Sequence, residues 1–186
     1  SHSGVWMLNG SFSKGLDFIR GMITVRASYM GYEGSIYQNE FETPYSSDMW
    51  SISPKVNSTP TNWFNASYEL SFSKNQISVS SSDIASSSEQ IWQTLLCNFT
   101  PVSNLSIKFI GEHYYNNMSD GINKSIFLSD AEFTYSFTGG WEVNLAVNNI
   151  FNRDTYSYTI YNGLTSIDRE YRIRPINVLA SLFFRF

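Results

Sequence analysis

Side chains that could perform catalysis are sparse in this chain and widely separated. His113, which precedes Tyr114 and Tyr115, is the one imidazole outside the N-terminal tail. A lone histidine in an aromatic stretch lacks the partner ligands of a metal site, and no nucleophile stands at a recognisable spacing from a base. We therefore interpret His113 as structural, and predict a protein that is not an enzyme and binds no cofactor.

Carboxylates form the other group with chemical potential. Asp130 and Glu132 are two residues apart, which places them on one face of a strand, and Glu142 follows on the next apolar-polar alternating segment. They could pair with Arg20 and Arg26, but the pattern favours a solvated polar face.

Composition narrows the class of protein. The 186 residues suffice for a single domain, 1–186, and only 15% are charged whereas 17% are aromatic. A soluble domain usually carries about 25% charged residues, and no apolar run approaches the roughly 20 residues of a spanning helix. The net charge of −4 disfavours nucleic acid as a partner. Cys97 is the single cysteine, so no internal disulfide forms.

Apolar residues recur at every second position along most of the chain, which predicts strands. Trp141, Val143 and Leu145, for example, alternate with Glu142 and Asn144. Nine strands are predicted, at 4–13, 17–31, 47–57, 62–74, 89–100, 104–116, 125–138, 140–151 and 171–186.

The connections between these strands alternate between short turns and long segments, the latter at 32–46, 75–88, 117–124 and 152–170. Outer-membrane barrels are built in this way, with the short turns in the periplasm and aromatic girdles at both interfaces. The sequence therefore predicts an all-β, antiparallel, up-and-down transmembrane β-barrel. The expected interfacial aromatic residues are Trp63, Phe64 and Trp141 at the short-turn end and Trp50, Trp92, Tyr114 and Tyr115 at the long-loop end.

Two elements near the C-terminus carry a family resemblance. The segment 147–152 reads Val-Asn-Asn-Ile-Phe-Asn, and the last strand alternates apolar residues up to a terminal Phe186. With Tyr171-Arg172-Ile173-Arg174-Pro175, this region resembles the C-terminal region of TonB-dependent outer-membrane receptors of the Bacteroidetes type.

The resemblance implies a bacterial outer-membrane location, contact with outer-membrane lipid, and active uptake of a nutrient powered by TonB. Contact with TonB would be made only through N-terminal parts that lie outside this chain. Transporters of this kind have about 22 strands, so nine strands suggest a segment of a larger barrel, and the transported ligand stays open. The resemblance also implies an assembly signal read by the barrel assembly machinery, formed by Val178, Ala180, Leu182, Phe184 and Phe186.

Two other interpretations fit part of the pattern. One is a small self-contained outer-membrane barrel that serves as an adhesin or an anchor. The other is a soluble β-sandwich that binds carbohydrate through surface aromatic residues.

Overall fold

The computed structural model describes residues 3–38, 41–80, 85–118, 124–162 and 165–184. The strands in these residues are β1 (Gly4–Leu16), β2 (Gly21–Gln38), β3 (Phe41–Thr61), β4 (Phe64–Val79), β5 (Ala85–Val102), β6 (Leu105–Met118), β7 (Lys124–Ser136), β8 (Trp141–Asn148), β9 (Thr155–Asn162), β10 (Thr165–Arg172) and β11 (Asn177–Phe184). Among these residues, no helix is long and apolar enough to cross a membrane.

Nine strands form one antiparallel sheet. β1 to β8 pair with one another in chain order, and β11 completes the sheet beside β8. β9 and β10 form a separate two-stranded hairpin between β8 and β11 in the chain. The structure thus confirms the predicted all-β, antiparallel, up-and-down arrangement. The main sheet has nine strands, and β9 and β10 are two further strands that the sequence did not predict. Pairing between β1 and β11 is not among the strand pairings of the described residues.

The predicted long segments are mostly strand, so the prediction of loops there was wrong. Pairing continues through Gly34 opposite Tyr45 and through Gln76 opposite Ser87. Both faces of these extensions are rich in polar residues, so they lack the alternation that identifies a strand from sequence. Residues 81–84 and 119–123 lie outside the described part.

The predicted ninth strand, 171–186, divides into two elements. Tyr171 and Arg172 end β10, and β11 begins only at Asn177. Pro175 has no N–H for a strand ladder, and the adjacent Ile176 N–H donates instead to Asn152 Oδ1 at 3.0 Å. The predicted loop 152–170 accordingly holds most of the β9–β10 hairpin.

Strand register sorts the side chains onto two faces. Even-numbered residues of β1, β3, β4 and β11 and odd-numbered residues of β2 and β5–β8 share one face, which we call the apolar face. The remaining residues form the polar face. The stretches in which the apolar face is continuous, here called the apolar span, are 6–12, 23–31, 50–58, 64–72, 91–99, 105–115, 127–135, 141–147 and 178–184.

The strands are staggered across the sheet. One row of paired residues starts at Leu16, the last residue of β1. Leu16 is opposite Gly21 of β2, and Gly21 is in turn opposite Ser58 of β3. The same row ends at Val178, the second residue of β11. The row therefore moves from the short-turn end of the first strand to the opposite end of the last. Such a stagger accompanies the strand tilt of β-barrels.

The sheet has hardly any hydrophobic core. Among the described residues, the only buried hydrophobic side chains are those of Ile77, Val79 and Ile126. Leu145 in the middle of the apolar face is 39% exposed, and Leu182 at the edge is 63% exposed. A soluble domain covers its apolar sheet face with a second layer, and the described residues supply no such layer.

The register predicts which engineered cysteines can be joined. Ser28 and Ser51 are directly opposed on the polar face, with their hydroxyl oxygens 2.7 Å apart. In a Cys97→Ala background, the oxidant diamide should join Ser28→Cys and Ser51→Cys in a disulfide, because the two side chains are directly opposed and their terminal atoms already touch. Thiol titration of the folded protein measures the bond.

The matched control for this cross-link is Ser28→Cys with Ile52→Cys. Ile52 is adjacent to Ser51 but projects from the other face, so this pair should keep both thiols. Similar cross-linking of the two pairs would contradict the register.

Candidate functional site

Charged residues within the apolar span all lie on the polar face. The register directs these charged side chains away from the apolar face; they are Arg26, Lys55, Glu69, Lys108, Glu112, Asp130, Glu132 and Glu142. On the apolar face, the same stretches carry aliphatic and aromatic residues with a few small or neutral polar ones. The two faces are therefore suited to two different solvents.

Cross-strand pairs connect the polar face from strand to strand. Ser53 Oγ donates to Ser71 Oγ at 3.0 Å, and Lys55 Nζ lies 3.2 Å from Glu69 Oε2. Opposed polar pairs of this kind stabilise neighbouring strands by about 0.2–1 kcal/mol each. The side chains of this face are joined by hydrogen bonds and ion pairs between neighbouring strands.

The three carboxylates noted in the sequence take partners close by. Glu132 Oε1 accepts from Asn144 Nδ2 at 2.6 Å, and Glu142 Oε2 accepts from Ser136 Oγ at 3.1 Å. Asp130 Oδ1 accepts a backbone N–H at 2.8 Å. The ion pairs formed by the described residues do not join these carboxylates to Arg20 or Arg26.

Aromatic contacts concentrate at the short-turn end of the sheet. Phe64 stacks on Phe99 with ring centroids 4.7 Å apart, and Trp63 lies in the adjoining turn, 49% exposed. Trp141 contacts Phe184 at 4.4 Å between ring centroids. The structure thus places Trp63, Phe64 and Trp141 at the short-turn end of the sheet, and their role at a membrane interface stays a prediction.

At the other end, Trp50 and Tyr115 lie on the apolar face. Trp50 contacts Phe72 at 5.0 Å, and Lys74 is directly opposite Trp50 in the ladder. Lys74 Nζ bonds Glu89 Oε1 at 2.8 Å and holds the pKa of that carboxyl below its ordinary value. This ion pair lies just beyond the apolar span and marks its boundary on β4 and β5.

The other two predicted interfacial residues, Trp92 and Tyr114, project from the polar face. They are directly opposed on β5 and β6, with nearly parallel rings 5.9 Å apart. Tyr156 of β9 contacts Tyr114 at 5.6 Å. A place in a lipid-facing girdle does not fit this orientation.

These three rings border a cavity of about 450 Å³ between the polar face and the start of β9. We call it the aromatic pocket. Ser71, Ser73 and Gln90 contribute hydroxyl and amide groups to its wall. Its size falls within the range of small-molecule sites, roughly 300–1,000 Å³. The sequence reading missed Tyr156 because it lies in a segment interpreted as a loop.

His113 and Cys97 lie away from this pocket on the apolar face. His113 Nε2 is 3.0 Å from Ser125 Oγ, and its Nδ1 is 3.4 Å from Gln93 Nε2. Cys97 is opposite Ala66 and Phe109. The described residues contain no cluster of three or more metal-ligating side chains.

The predicted assembly residues in the described part share one face. Val178, Ala180, Leu182 and Phe184 alternate along the apolar side of β11. Phe186 lies outside the described residues.

Asn149, within the segment that carries the family resemblance, joins three parts of the chain. It is 5% exposed, and its Nδ2 donates to the carbonyls of Arg153 at 2.7 Å and Arg174 at 2.9 Å. Its Oδ1 accepts from the Arg153 N–H at 2.9 Å, and its own N–H donates to Asp130. We call this arrangement the Asn149 corner.

Backbone geometry explains why asparagine suits this corner. Asn149 has a φ of 53° and Asn152 a φ of 50°, in the left-handed region where asparagine is among the few tolerated residues. Asn152 N–H closes the turn onto Asn149 O at 2.8 Å. The corner thereby ends β8 and directs the chain into the β9–β10 hairpin.

Comparison of the chain with protein-family models, with curated proteins and with solved structures finds no match. The resemblance to TonB-dependent receptors stays a prediction from the sequence.

Replacing Asn149 by Ala should lower the free energy of unfolding by about 2–4 kcal/mol, because buried backbone groups lose their partners. Circular dichroism during chemical denaturation in detergent micelles measures this loss. Asn148→Ala is the matched control. Among the described residues the Asn148 side chain bonds to Asn177, at 3.0 Å, and its loss should cost under about 1 kcal/mol. Equal losses would show that the Asn149 corner adds nothing beyond an ordinary surface pair.

Proposed function

We propose that the nine-stranded sheet is part of the wall of an outer-membrane β-barrel. The observation that carries the proposal is the separation of charge by face. Within the apolar span, charged residues are confined to the polar face, while the apolar face exposes large side chains such as Leu145 and Phe133. A wall between lipid and a wet lumen requires this separation.

The same assignment accounts for the lack of a core. In lipid, apolar side chains need no second protein layer, whereas every backbone polar group must be paired within the sheet. The ladder from β1 to β11 gives each inner strand a neighbour on both sides, with β7 joined to β8 from Ala131 to Ser136. A soluble carbohydrate-binding sandwich would instead need a second sheet packed on this apolar face, and the described residues supply none.

We assign the polar face to the lumen and the short turns to the periplasm. Under this assignment, β9–β10 and the aromatic pocket lie toward the cell exterior, where an imported molecule arrives. The lipid contacts are made by the apolar face between the Trp63–Trp141 row and the Trp50–Tyr115 row.

The proposed barrel is larger than this sheet. In an up-and-down sheet of nine strands, β1 and β11 run in the same direction, so joining them directly would require a parallel pair. Bacterial outer-membrane barrels are antiparallel with an even number of strands. Further strands beside β1 remove this conflict, which favours a segment of a receptor-type transporter over a self-contained barrel.

The functional proposal is therefore active uptake of a nutrient through a TonB-dependent receptor barrel whose C-terminal strands are these. The sequence elements at 147–152 and at the last strand support this assignment through their resemblance to that family. Outer-membrane lipid and the barrel assembly machinery are its proposed partners.

Two neighbouring substitutions on β8 test the two faces. Leu145→Arg should destabilise the lipid-inserted protein by about 2–4 kcal/mol if Leu145 lies near the bilayer midplane. Asn144→Arg should cost much less, because it enters the lumen beside Glu132. Denaturant titration of protein folded into phospholipid vesicles measures both. Equal costs would remove the evidence for two solvents, and a folded, monodisperse wild type in plain buffer would overturn the membrane assignment.

The last strand supplies a test of assembly. Deleting Phe186, or replacing Phe184 by Ala, should reduce the amount of full-length protein inserted in the outer membrane, because both belong to the proposed signal. Phe183→Ala is the matched control, since Phe183 neighbours Phe184 but lies on the polar face. Surface labelling of intact cells quantifies insertion. Unchanged insertion of both signal variants would exclude the assembly role.

A further inference from the structure

A depression in the apolar face lies on β1, β2 and β3. Gly10 and Ala27 are directly opposed there, and they leave a space of about 460 Å³ bordered by Leu8, Tyr29 and Trp50. A Cβ added at Gly10 would meet no atom within 4 Å, so packing within the sheet does not require a glycine. β1 and β2 pair through this position without a bulge. The other reasons for a glycine inside a strand are a bend or the close approach of another molecule, and the depression favours the second.

Two tryptophans, a tyrosine and a carboxylate lie at the long-loop end of this depression. Trp6, Gly31 and Asp48 form one row across the three strands, and Tyr29 is opposite Trp50 in the next row. The Trp6 indole lies over Gly31 and donates its N–H to the Tyr29 hydroxyl. That hydroxyl donates in turn to Asp48 Oδ1 at 2.5 Å. We call Trp6, Tyr29, Asp48 and Trp50 the outer cluster.

The outer cluster carries negative charge that the ion pairs of the described residues leave without a cation. Asp48 takes part in none of those ion pairs, and its bond from Tyr29 is a neutral one. Lys74 of β4 is held by Glu89, 2.8 Å away. Glu33, on the same face of β2, adds a second negative charge that acts on Tyr29. A cation supplied by another molecule would therefore be attracted to this end of the apolar face.

An ammonium group matches the chemistry of the outer cluster. The faces of tryptophan and tyrosine rings attract cations, most strongly where water is displaced, and a carboxylate forms strong hydrogen bonds with N⁺–H groups. Trp6 is 45% exposed and Trp50 is 40% exposed, so both rings are open to the surroundings of the apolar face. The adjoining depression is lined by apolar groups and suits a methylene chain. A molecule with an ammonium at one end and an acyl chain at the other would fit both parts.

We propose that the apolar face of β1 to β3 binds a membrane lipid whose head group carries an ammonium. The ammonium lies against Trp6, Trp50 and Asp48, and an acyl chain occupies the depression at Gly10 and Ala27. Acyl chains differ little from one another in shape, so the head group provides the selectivity. The inference rests on the proposed function, because it names a lipid partner for the proposed membrane wall.

Native mass spectrometry of the full-length, detergent-solubilised protein tests the proposal. Phosphatidylethanolamine and phosphatidylglycerol with identical acyl chains are titrated separately, with and without EDTA, and the bound fractions give two dissociation constants. Phosphatidylethanolamine should bind about tenfold more tightly, as expected for a desolvated cation over aromatic rings. Asp48→Asn should make the two dissociation constants equal, whereas Asp48→Glu should retain the preference.

Matched variants separate the head group from the acyl chain. Glu112→Gln removes the same charge from the polar face of β6 and should leave the preference unchanged. Gly10→Leu places a side chain in open space, so the variant should fold and lose affinity for both lipids. Its control, Ser11→Leu, places the same side chain on the polar face of β1 and should leave both dissociation constants unchanged.

Equal dissociation constants of the two lipids for the wild-type protein would overturn the proposal, and this comparison needs no variant. Two other results would also overturn it. One is an equal change of preference in Asp48→Asn and Glu112→Gln. The other is tighter binding of phosphatidylglycerol that EDTA abolishes, since a divalent cation would then bridge the carboxylates to phosphate.

Heat-modifiable gel migration of the same sample tests the barrel separately. A heat-modifiable protein that shows no lipid preference refutes the ammonium site and retains the barrel. A protein that is folded and monodisperse in plain buffer refutes both.

Discussion

The backbone ladder that joins nine strands in fixed register is the constraint on which the other features depend. Because side chains alternate with a period of two, a slip of one residue in a strand would exchange its faces. In β3 such a slip would bring Lys55 onto the apolar face. Register shifts in the described pairings occur between Ser58 and Thr61 and between Phe99 and Val102. Both lie at the short-turn end, where β3 and β5 approach their turns. The register shifts are thus confined to the ends of strands, and the central rows keep charged residues and apolar surface on opposite faces.

The Asn149 corner extends this order beyond the regular ladder. β8 pairs with β11 although the β9–β10 hairpin lies between them in the chain. The backbone must therefore leave the sheet after β8 and re-enter it at the residue that starts β11 in the correct register. A left-handed asparagine can turn the chain and also bond to both of its arms, which glycine cannot do because it has no side-chain amide. Asp130 Oδ1 accepts the Asn149 N–H and thereby connects the same corner to β7. The Asn149 corner directs the chain from β8 into β9 and so determines the position of Tyr156 over the polar face. The same corner therefore also determines where the aromatic pocket forms.

Alternation in the sequence was sufficient to predict the nine-stranded sheet and the two faces of its strands, because a face that is apolar throughout imposes a strict period of two. It did not predict the β9–β10 hairpin. It failed where both faces are polar, as in the extensions through Gln76 and Ser87, since pairing there leaves no periodic signature. Trp92 illustrates a different limit. Trp92 is an even-numbered residue of β5, whereas the apolar-face residues Leu95 and Phe99 are odd-numbered. The alternation therefore already indicated that Trp92 projects from the polar face. Grouping the aromatic residues by their position along the strands led instead to its assignment to the lipid-facing girdle. The contact between Tyr114 and Tyr156 joins residues far apart in sequence, and local patterns carry no information about it.

In the proposed barrel, the even-numbered and odd-numbered residues of each strand face different solvents, lipid on one side and water on the other. Lipid is a uniform solvent, so any polar substitution in the apolar span is costly and the apolar face has little freedom to vary. Water accepts both polar and aromatic side chains, so the polar face can change locally without loss of the fold. Recognition of a transported molecule therefore has to reside on the polar face and in the hairpin above it. The clustering of Trp92, Tyr114 and Tyr156 on that face, away from the lipid-facing rows, is what such a division of roles requires.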